Sequence, residues 1–488
     1  MDNSQISNHP ALLFENGVSR EIADIVSRED EIVLYLNGKE CRHIIASNDM
    51  LSELGAGFFA ASGIAKKIHS VHADGKNVFV EAEVSSAEND FVCSSLRISP
   101  EAVFALRESM NVEVWRKTGG LHCAALWHNG KIVSVSSDIA RHNAVDKVIG
   151  FMILHGLNPG ECALACTGRQ PEGMVRKAAK AGIPIVVGRT AVTYRGITCA
   201  EKQGITLVGF ARDKRFTVYT HPERIAGFSG STSAIPEISG NSVQITGWKY
   251  ADGGFVPVTD TVVVEEDIIL YLNGKEYLKN VATHDSLKEL GIGFFVAAGI
   301  SKHPKSVRVS GRDIFVEADD AECIDCSLGT SGGFTPRKTP GSVTSDLRIS
   351  PAEIFAIREQ INTEEWDNTG ALHCAVLYHG GRVVYSASDI GRHNAVDKVI
   401  GHMVLNNLPP AECVMGCTGR MPADMVSKAV NAGIPIIVSR AAATSAGISL
   451  AEKAGLTLIC FTRPPRFTVY THPERILTES EPCPEVNQ

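Results

Sequence analysis

Residues 412–461 read ECVMGCTGRMPADMVSKAVNAGIPIIVSRAAATSAGISLAEKAGLTLICF. Three short apolar runs stand in this stretch, and helical patterns separate them. A strand over 412–417 leads to a helix over 423–432. A strand over 435–438 leads to a helix over 446–454. A third, over 456–461, runs on into a last strand over 467–471. Strands alternating with helices at this spacing predict an α/β layer with largely parallel strands. Ligands of such sheets bind beyond the carboxyl ends of the strands. The segments found there are Thr418-Gly419-Arg420, Ser439-Arg440 and Thr462-Arg463-Pro464-Pro465-Arg466. Arg420, Arg440, Arg463 and Arg466 are expected to meet on one rim, where guanidinium forks suit phosphate or carboxylate oxygens. The inferred ligand is a phosphorylated small molecule, a nucleotide by preference. The competing reading is four unrelated surface arginines.

Upstream, residues 388–398 read SDIGRHNAVDK. They follow a predicted hairpin, 372–378 and 382–386, and open a helix over 394–405. Asn394 is placed to cap that helix, with Asp397 near the capping-box position. Arg392 and His393 then stand just ahead of the helix, where free amides favour an anion. His393 reads as a base, a ligand-gripping donor or a core histidine. The alternative for Asp389, Arg392 and Asp397 is a structural ion cluster. Further upstream are a strand over 267–272 with the turn Asn273-Gly274 and a helix over 284–298 with Ser286 as its cap. Two strands follow, 306–309 and 313–318, then a helix from Ser350 with a capping box to Glu353.

The motif occurs twice: SDIARHNAVDK fills residues 137–147. ILYLNGKE at 269–276 answers VLYLNGKE at 33–40, an offset of 236. LRISP at 347–351 answers 96–100, an offset of 251 that holds to the end, so the second copy gains a net 15 residues. A period this long suits a whole domain or domain pair. The chain therefore divides into a first copy over 1–225, a linker with an irregular lead-in over 226–262, a second copy over 263–476 and a tail over 477–488. The gained segment, within 320–346, holds the chain's one Cys-x-x-Cys, Cys323 and Cys326. Its glycines and prolines predict an irregular, mobile loop, where reactive groups reach partners. A thiolate there can hold sulfur as a persulfide, and its neighbour can resolve it as a disulfide. The acidic flank (Asp319, Asp320, Glu322, Asp325) works against this by raising the thiol pKa. Half of a zinc site is the other reading.

A net charge of −8 argues against a general nucleic-acid binder. No run of about 18 apolar residues predicts a membrane span, and the N-terminus lacks the pattern of a signal peptide. The expected location is cytoplasmic. The 13 cysteines then read as reduced thiols.

Together Thr369-Gly370, Leu372-His373, Ala375, the DIGRHNAVDK run, Thr418-Gly419-Arg420, THPERI and the Cys-x-x-Cys loop resemble the formate dehydrogenase accessory sulfurtransferase family, FdhD. The resemblance covers nearly all of both copies. It implies that each copy is a small α/β subdomain joined to a cytidine-deaminase-like three-layer α/β domain, two copies forming a pseudo-two-fold dimer within one chain. Deaminase chemistry is not implied, because the zinc signature of true deaminases is missing from the sequence. The resemblance implies a sulfur carrier that takes persulfide sulfur from a cysteine desulfurase. The acceptor it implies is the molybdenum (or tungsten) bis-pyranopterin guanine dinucleotide cofactor of a formate dehydrogenase apoenzyme, with a guanine nucleotide such as GDP as mimic. The persulfide residue maps onto Cys323, with Cys326 beside it. The cofactor-contacting run maps onto Phe461, Thr462, Arg463, Pro464, Pro465 and Arg466; His373, Arg392, His393, Asn394 and Arg420 complete the expected site. The first copy lacks the cysteine pair, so it is expected to bind cofactor or only to complete the pair. A guanine-nucleotide-binding chaperone without covalent sulfur chemistry is the alternative.

Overall fold

The computed structural model describes residues 5–84, 91–230, 235–236, 240–322, 329–330, 333–334, 340–361, 363 and 369–477. The chain forms two compact units. The first comprises Met1–Gln5, Glu29–Glu265 and Asn368–Ala371; the second comprises Ile6–Arg28, Glu266–Asp367 and Leu372–Gln488.

The second unit is built on an eight-stranded sheet. Its order is Val18–Ser27, Ile6–Glu15, Arg466–Thr471, Thr457–Arg463, Ile436–Ser439, Val414–Cys417, His373–His379, Arg382–Asp389. Only the three strands of the opening stretch run parallel; their neighbours are antiparallel. The apolar runs are continuous because both sheet faces are covered. Ile436 and Val438 pack with Ile354 and Ile357 of the helix Pro351–Gln360. Ile437, between them, faces the helices Arg392–Leu405, Ala423–Ala432 and Ser445–Ala454. A side-chain period of two thus yields three layers, helix on sheet on helix.

A four-stranded sheet, ordered Lys275–Ala282, Glu266–Leu272, Asp313–Glu317, Ser306–Ser310, forms the smaller subdomain with the helix Leu287–Ala297. Its hairpin turns through Asn273 (φ 49°) and Gly274 (φ 77°) as the sequence requires. Ser286 sits at the helix start but makes no side-chain cap bond; its hydroxyl accepts from Tyr385 at 3.0 Å instead. Ser350 and Glu353 form the expected capping box.

The small helix is held by backbone-to-backbone approach to the motif helix Arg392–Leu405. A Cβ on Gly293 would lie 1.7 Å from the Asp397 carbonyl oxygen, and one on Gly401 1.9 Å from that of Glu289. The first unit repeats both contacts, at Gly57 and Gly150, each 1.8 Å. Neither neighbour is a flexible side chain that can yield. Gly293→Ala is therefore expected to destabilise the second unit by about 3 kcal/mol, read as a fall in its urea midpoint. An unchanged midpoint would mean the helices part freely.

The first unit has the same plan, with its large sheet ordered Gly254–Val263, Ser242–Ala251, Arg215–Thr220, Thr206–Arg212, Ile185–Gly188, Cys162–Cys166, His122–His128, Lys131–Asp138. The hairpin ahead of each copy in sequence belongs to the sheet of the other copy. Residues 226–262, expected as a linker with an irregular lead-in, contain most of such a hairpin. It turns at Asp252 (φ 52°) and Gly253 (φ 84°); its counterpart turns at Asn16 (φ 53°) and Gly17 (φ 80°). Each is tied to the last strand of its sheet by the same bond. Tyr219 donates to Asp260 at 2.5 Å, and Tyr470 donates to Asp24. Without these hairpins the last strand of each copy would present an unpaired edge.

Among the described residues no helix is long and apolar enough to cross a membrane.

Candidate functional site: the carboxyl-end rim of the second copy

The repeated motif first builds a buried frame. Lys398, 0% exposed, donates to Thr283 at 2.8 Å and Asp285 at 2.9 Å, and stands 3.0 Å from Asp389. Asp389 accepts from Gly391 N and from the side chain of Asn394. Asn394 gives its second amide hydrogen to the Val281 carbonyl at 2.8 Å. Its donors are thus spent on the small sheet and on Asp389 of the large sheet. It does not cap the helix, which begins two residues earlier, at Arg392, with Gly391 at the cap position. Arg392 and His393 therefore lie inside the first turn, not ahead of it. Asp397 pairs with Lys428 at 2.6 Å and forms no capping box. Burial pushes the Asp397 carboxyl up to about 6, against the pull of Lys428.

Above this frame lies the rim. A Cβ on Gly419 would meet the Arg392 Cδ at 2.8 Å, so the arginine stem crosses the glycine of Thr418-Gly419-Arg420. Thr418 contacts His373 Nδ1 at 3.0 Å and accepts from Cys374 N. Met421 N bonds the Ala442 carbonyl at 2.9 Å, and Phe461 N that of Ala441 at 3.1 Å. The three post-strand segments are thereby joined edge to edge, with Arg420 and Arg440 half-buried along them. Phe461 takes φ 51°, Thr462 is buried, and Arg463, Pro464, Pro465 and Arg466 are exposed. Arg463 pairs in register with Arg466. The N-terminal hairpin holds this turn through Asn16 N and the Pro465 carbonyl, 3.2 Å apart.

His393, 2% exposed, is paired through Nε2 with Asp424 at 2.8 Å. Burial outweighs the carboxylate and pulls the imidazole down to about 4. Burial also opposes ionisation of Asp424, but His393, Arg392 and Lys428 together hold its carboxyl well below the usual range. A neutral ring donating to an ionised carboxylate satisfies both directions. Asp424 was invisible to motif reading because it lies 31 residues from its partner. Aligning the copies at offset 251 would have flagged it, since the first copy has Gly173 there.

Cys323 and Cys326 lie outside the described residues, but both roots of their loop are described. Glu322 N bonds the Ile300 carbonyl at 2.9 Å, and Val343 N bonds that of Ala454 at 2.7 Å. Ala454 ends the helix that runs back from the rim, so this root sits toward the amino ends of the strands. Two of the flanking acids are already engaged. Asp320 accepts from Ser301 at 2.5 Å and from the amides of Lys302 and His303; Asp319 pairs with Lys305. Cys413 and Cys417 are buried thiols pushed up to about 12 by desolvation. Among the described residues no three His, Cys, Asp or Glu side chains cluster as a metal site.

A duplicated three-layer α/β protein with a polar rim beyond its parallel strands defines the class. The FdhD/NarQ family model matches residues 73–226 and 263–477, more than half of the chain. The chain belongs to the FdhD/NarQ family. It is 31% identical to the "Sulfur carrier protein FdhD" of Bacillus subtilis over 249 residues, which is 47% of this chain and 95% of that protein. It is 34% identical to the protein of the same name from Sulfolobus acidocaldarius over 242 residues, 47% of this chain and 96% of the relative. A solved structure, a putative formate dehydrogenase accessory protein from Desulfotalea psychrophila, is 29% identical with a TM-score of 0.44, covering 48% of this chain and 99% of its own.

Proposed function

We propose that this protein is a sulfur carrier for formate dehydrogenase and that the second copy carries the sulfur. The observation behind this reading is the pairing of a family rim with a Cys-x-x-Cys that only the second copy possesses. The Cys323 thiolate attacks the outer sulfur of a cysteine desulfurase persulfide; the donor S–S bond breaks and the donor leaves as thiolate. Attack of Cys326 on the inner sulfur then forms the disulfide and releases hydrosulfide to the acceptor, two thiols being oxidised as the sulfane sulfur is reduced. The acceptor is the molybdenum (or tungsten) bis-pyranopterin guanine dinucleotide. Its phosphates suit the exposed Arg463 and Arg466 and the first turn of the motif helix, where Arg392 stands. His373 and Arg420 flank that turn.

Cys323→Ser is expected to leave both units folded and to abolish activation of formate dehydrogenase in a strain lacking the endogenous carrier. Activation at the wild-type level by that variant would remove the proposal.

A further inference from the structure

The first copy keeps most of the rim and loses one group. Lys147 stands 2.8 Å from Asp138, Arg141 lies across Gly168, and His122 contacts Thr167 at 3.3 Å, as in the second copy. Opposite His142, however, the residue corresponding to Asp424 is Gly173. The acid beside it, Glu172, is turned to Arg176 and Arg195. A Cβ on Gly173 would stand 3.8 Å from His142 Nε2, an ordinary contact. Space for a side chain exists in the first copy, and the carboxylate is what differs.

In the second copy the carboxylate has a definite chemical consequence. A neutral imidazole carries its proton on either nitrogen, and a carboxylate at one nitrogen fixes the choice. With Asp424 Oδ2 at 2.8 Å, Nε2 carries the hydrogen and Nδ1 is left as an acceptor. That Nδ1 is buried and has no hydrogen-bond partner among the described residues; the same is true of Arg392 Nε and Asp424 Oδ1. The His393 and Arg392 atoms stand at the first turn of a 14-residue helix that has no side-chain cap, and Asp424 stands in the first turn of the helix Ala423–Ala432. A cation, free helix amides and a fixed acceptor are the complement of an anion that carries a neighbouring O–H or N–H. Nucleotides have this character, with phosphate next to ribose hydroxyls and base N–H groups.

We infer that Asp424 is a positioning residue: it locks His393 as a hydrogen-bond acceptor for an O–H or N–H of a nucleoside diphosphate held at Arg392, a grip confined to the second copy. The inference rests on the nucleotide reading of the rim. Filling a buried, unpartnered acceptor gains roughly tenfold or more in affinity. The two copies then differ in role: the second grips its ligand with the dyad, and the first holds the same frame without it.

The test is calorimetric titration of the full chain with GDP, paired with nitrogen NMR of the imidazoles. Wild type should show a tight site and a site weaker by about tenfold or more. Asp424→Asn, nearly isosteric, should erase the difference and release the His393 tautomer; Asp424→Glu should restore most of both. Gly173→Asp, acidic in a first helical turn where acids are favoured, should strengthen the weak site. A tight site unchanged in Asp424→Asn, or still tight with the tautomer released, would overturn the inference and leave the nucleotide reading standing. No GDP binding by wild type would overturn both.

Discussion

Lys398→Met is expected to cost the second unit about 3–5 kcal/mol, the penalty for leaving a buried charge without its partner. Lys398 and Asp389 are both 0% exposed and stand 3.0 Å apart. Removing the cation leaves Asp389 held only by neutral donors, the amides of Thr283 and Gly391 among them. Against a domain stability of about 5–15 kcal/mol this removes a large share. Urea denaturation should show the loss in the second unit's transition, and Lys147→Met should do the same in the first. Replacing both partners, Asp389→Leu with Lys398→Met, should recover part of it, because an apolar pair strands no charge. Burial lowers the Lys398 pKa, but Asp389 and Asp285 outweigh it and the net shift is upward. The sign follows: a cation bound more tightly when folded contributes its stability below the ordinary lysine pKa and loses it as pH rises through the raised value. The wild-type chain should thus hold this contribution at neutral pH and lose it only in strong alkali. A Lys398→Met variant with the wild-type midpoint would show that the frame is ornamental.

Deleting residues 1–28 is expected to cripple the second unit while sparing the fold of the first. The deletion removes two strands of the second unit's sheet and bares the strand Arg466–Thr471. Val26, 1% exposed in the second core, is alone worth roughly 1.5–3 kcal/mol. The Tyr470–Asp24 bond and the stacking of Phe14 on Phe467, centroids 4.7 Å apart, go with it. So does the Asn16–Pro465 bond that holds the Arg463–Arg466 turn. Light scattering should show aggregation through the bared edge, and GDP binding to the second copy should fall away. Supplying residues 1–28 as a peptide should restore part of both. A truncated chain that stays monodisperse with normal GDP binding would show that the exchanged hairpin is dispensable.

The sequence made the layers legible because period-two apolar runs and helical spacing are local signals. Ile436, Ile437 and Val438 read as a strand and are one, buried throughout. The repeat was legible too, since offsets of 236 and 251 need only comparison of the chain with itself. The hairpin over 242–263 was missed although Asp252-Gly253 and Asn16-Gly17 are both strong turn signals. The Ser-, Gly- and Pro-rich run ahead of Asp252 carries the opposing signal of a linker. No local pattern could reveal that each hairpin joins the other copy's sheet, because both last strands, RFTVYT in each case, offer the same edge. At the site, Arg392 and Gly419 come together because the hairpin leading to Arg392 pairs antiparallel with the strand that ends at Cys417, a pairing the alternation does not announce. The side-chain duties of Asn394 and Asp397 were misjudged for a different reason. Capping rules weigh only a helix's own first turn, whereas here Val281 and Lys428, from other elements, claim those groups.

The most direct measurement is peptide mass spectrometry of the full chain after incubation with a cysteine desulfurase and cysteine. One added sulfur atom is expected on Cys323 or Cys326, and none on Cys41 or Cys93, which are exposed free thiols of the first copy. Sulfur on those first-copy thiols to the same extent, or on neither member of the 323/326 pair, would contradict the assignment of sulfur carriage to the second copy.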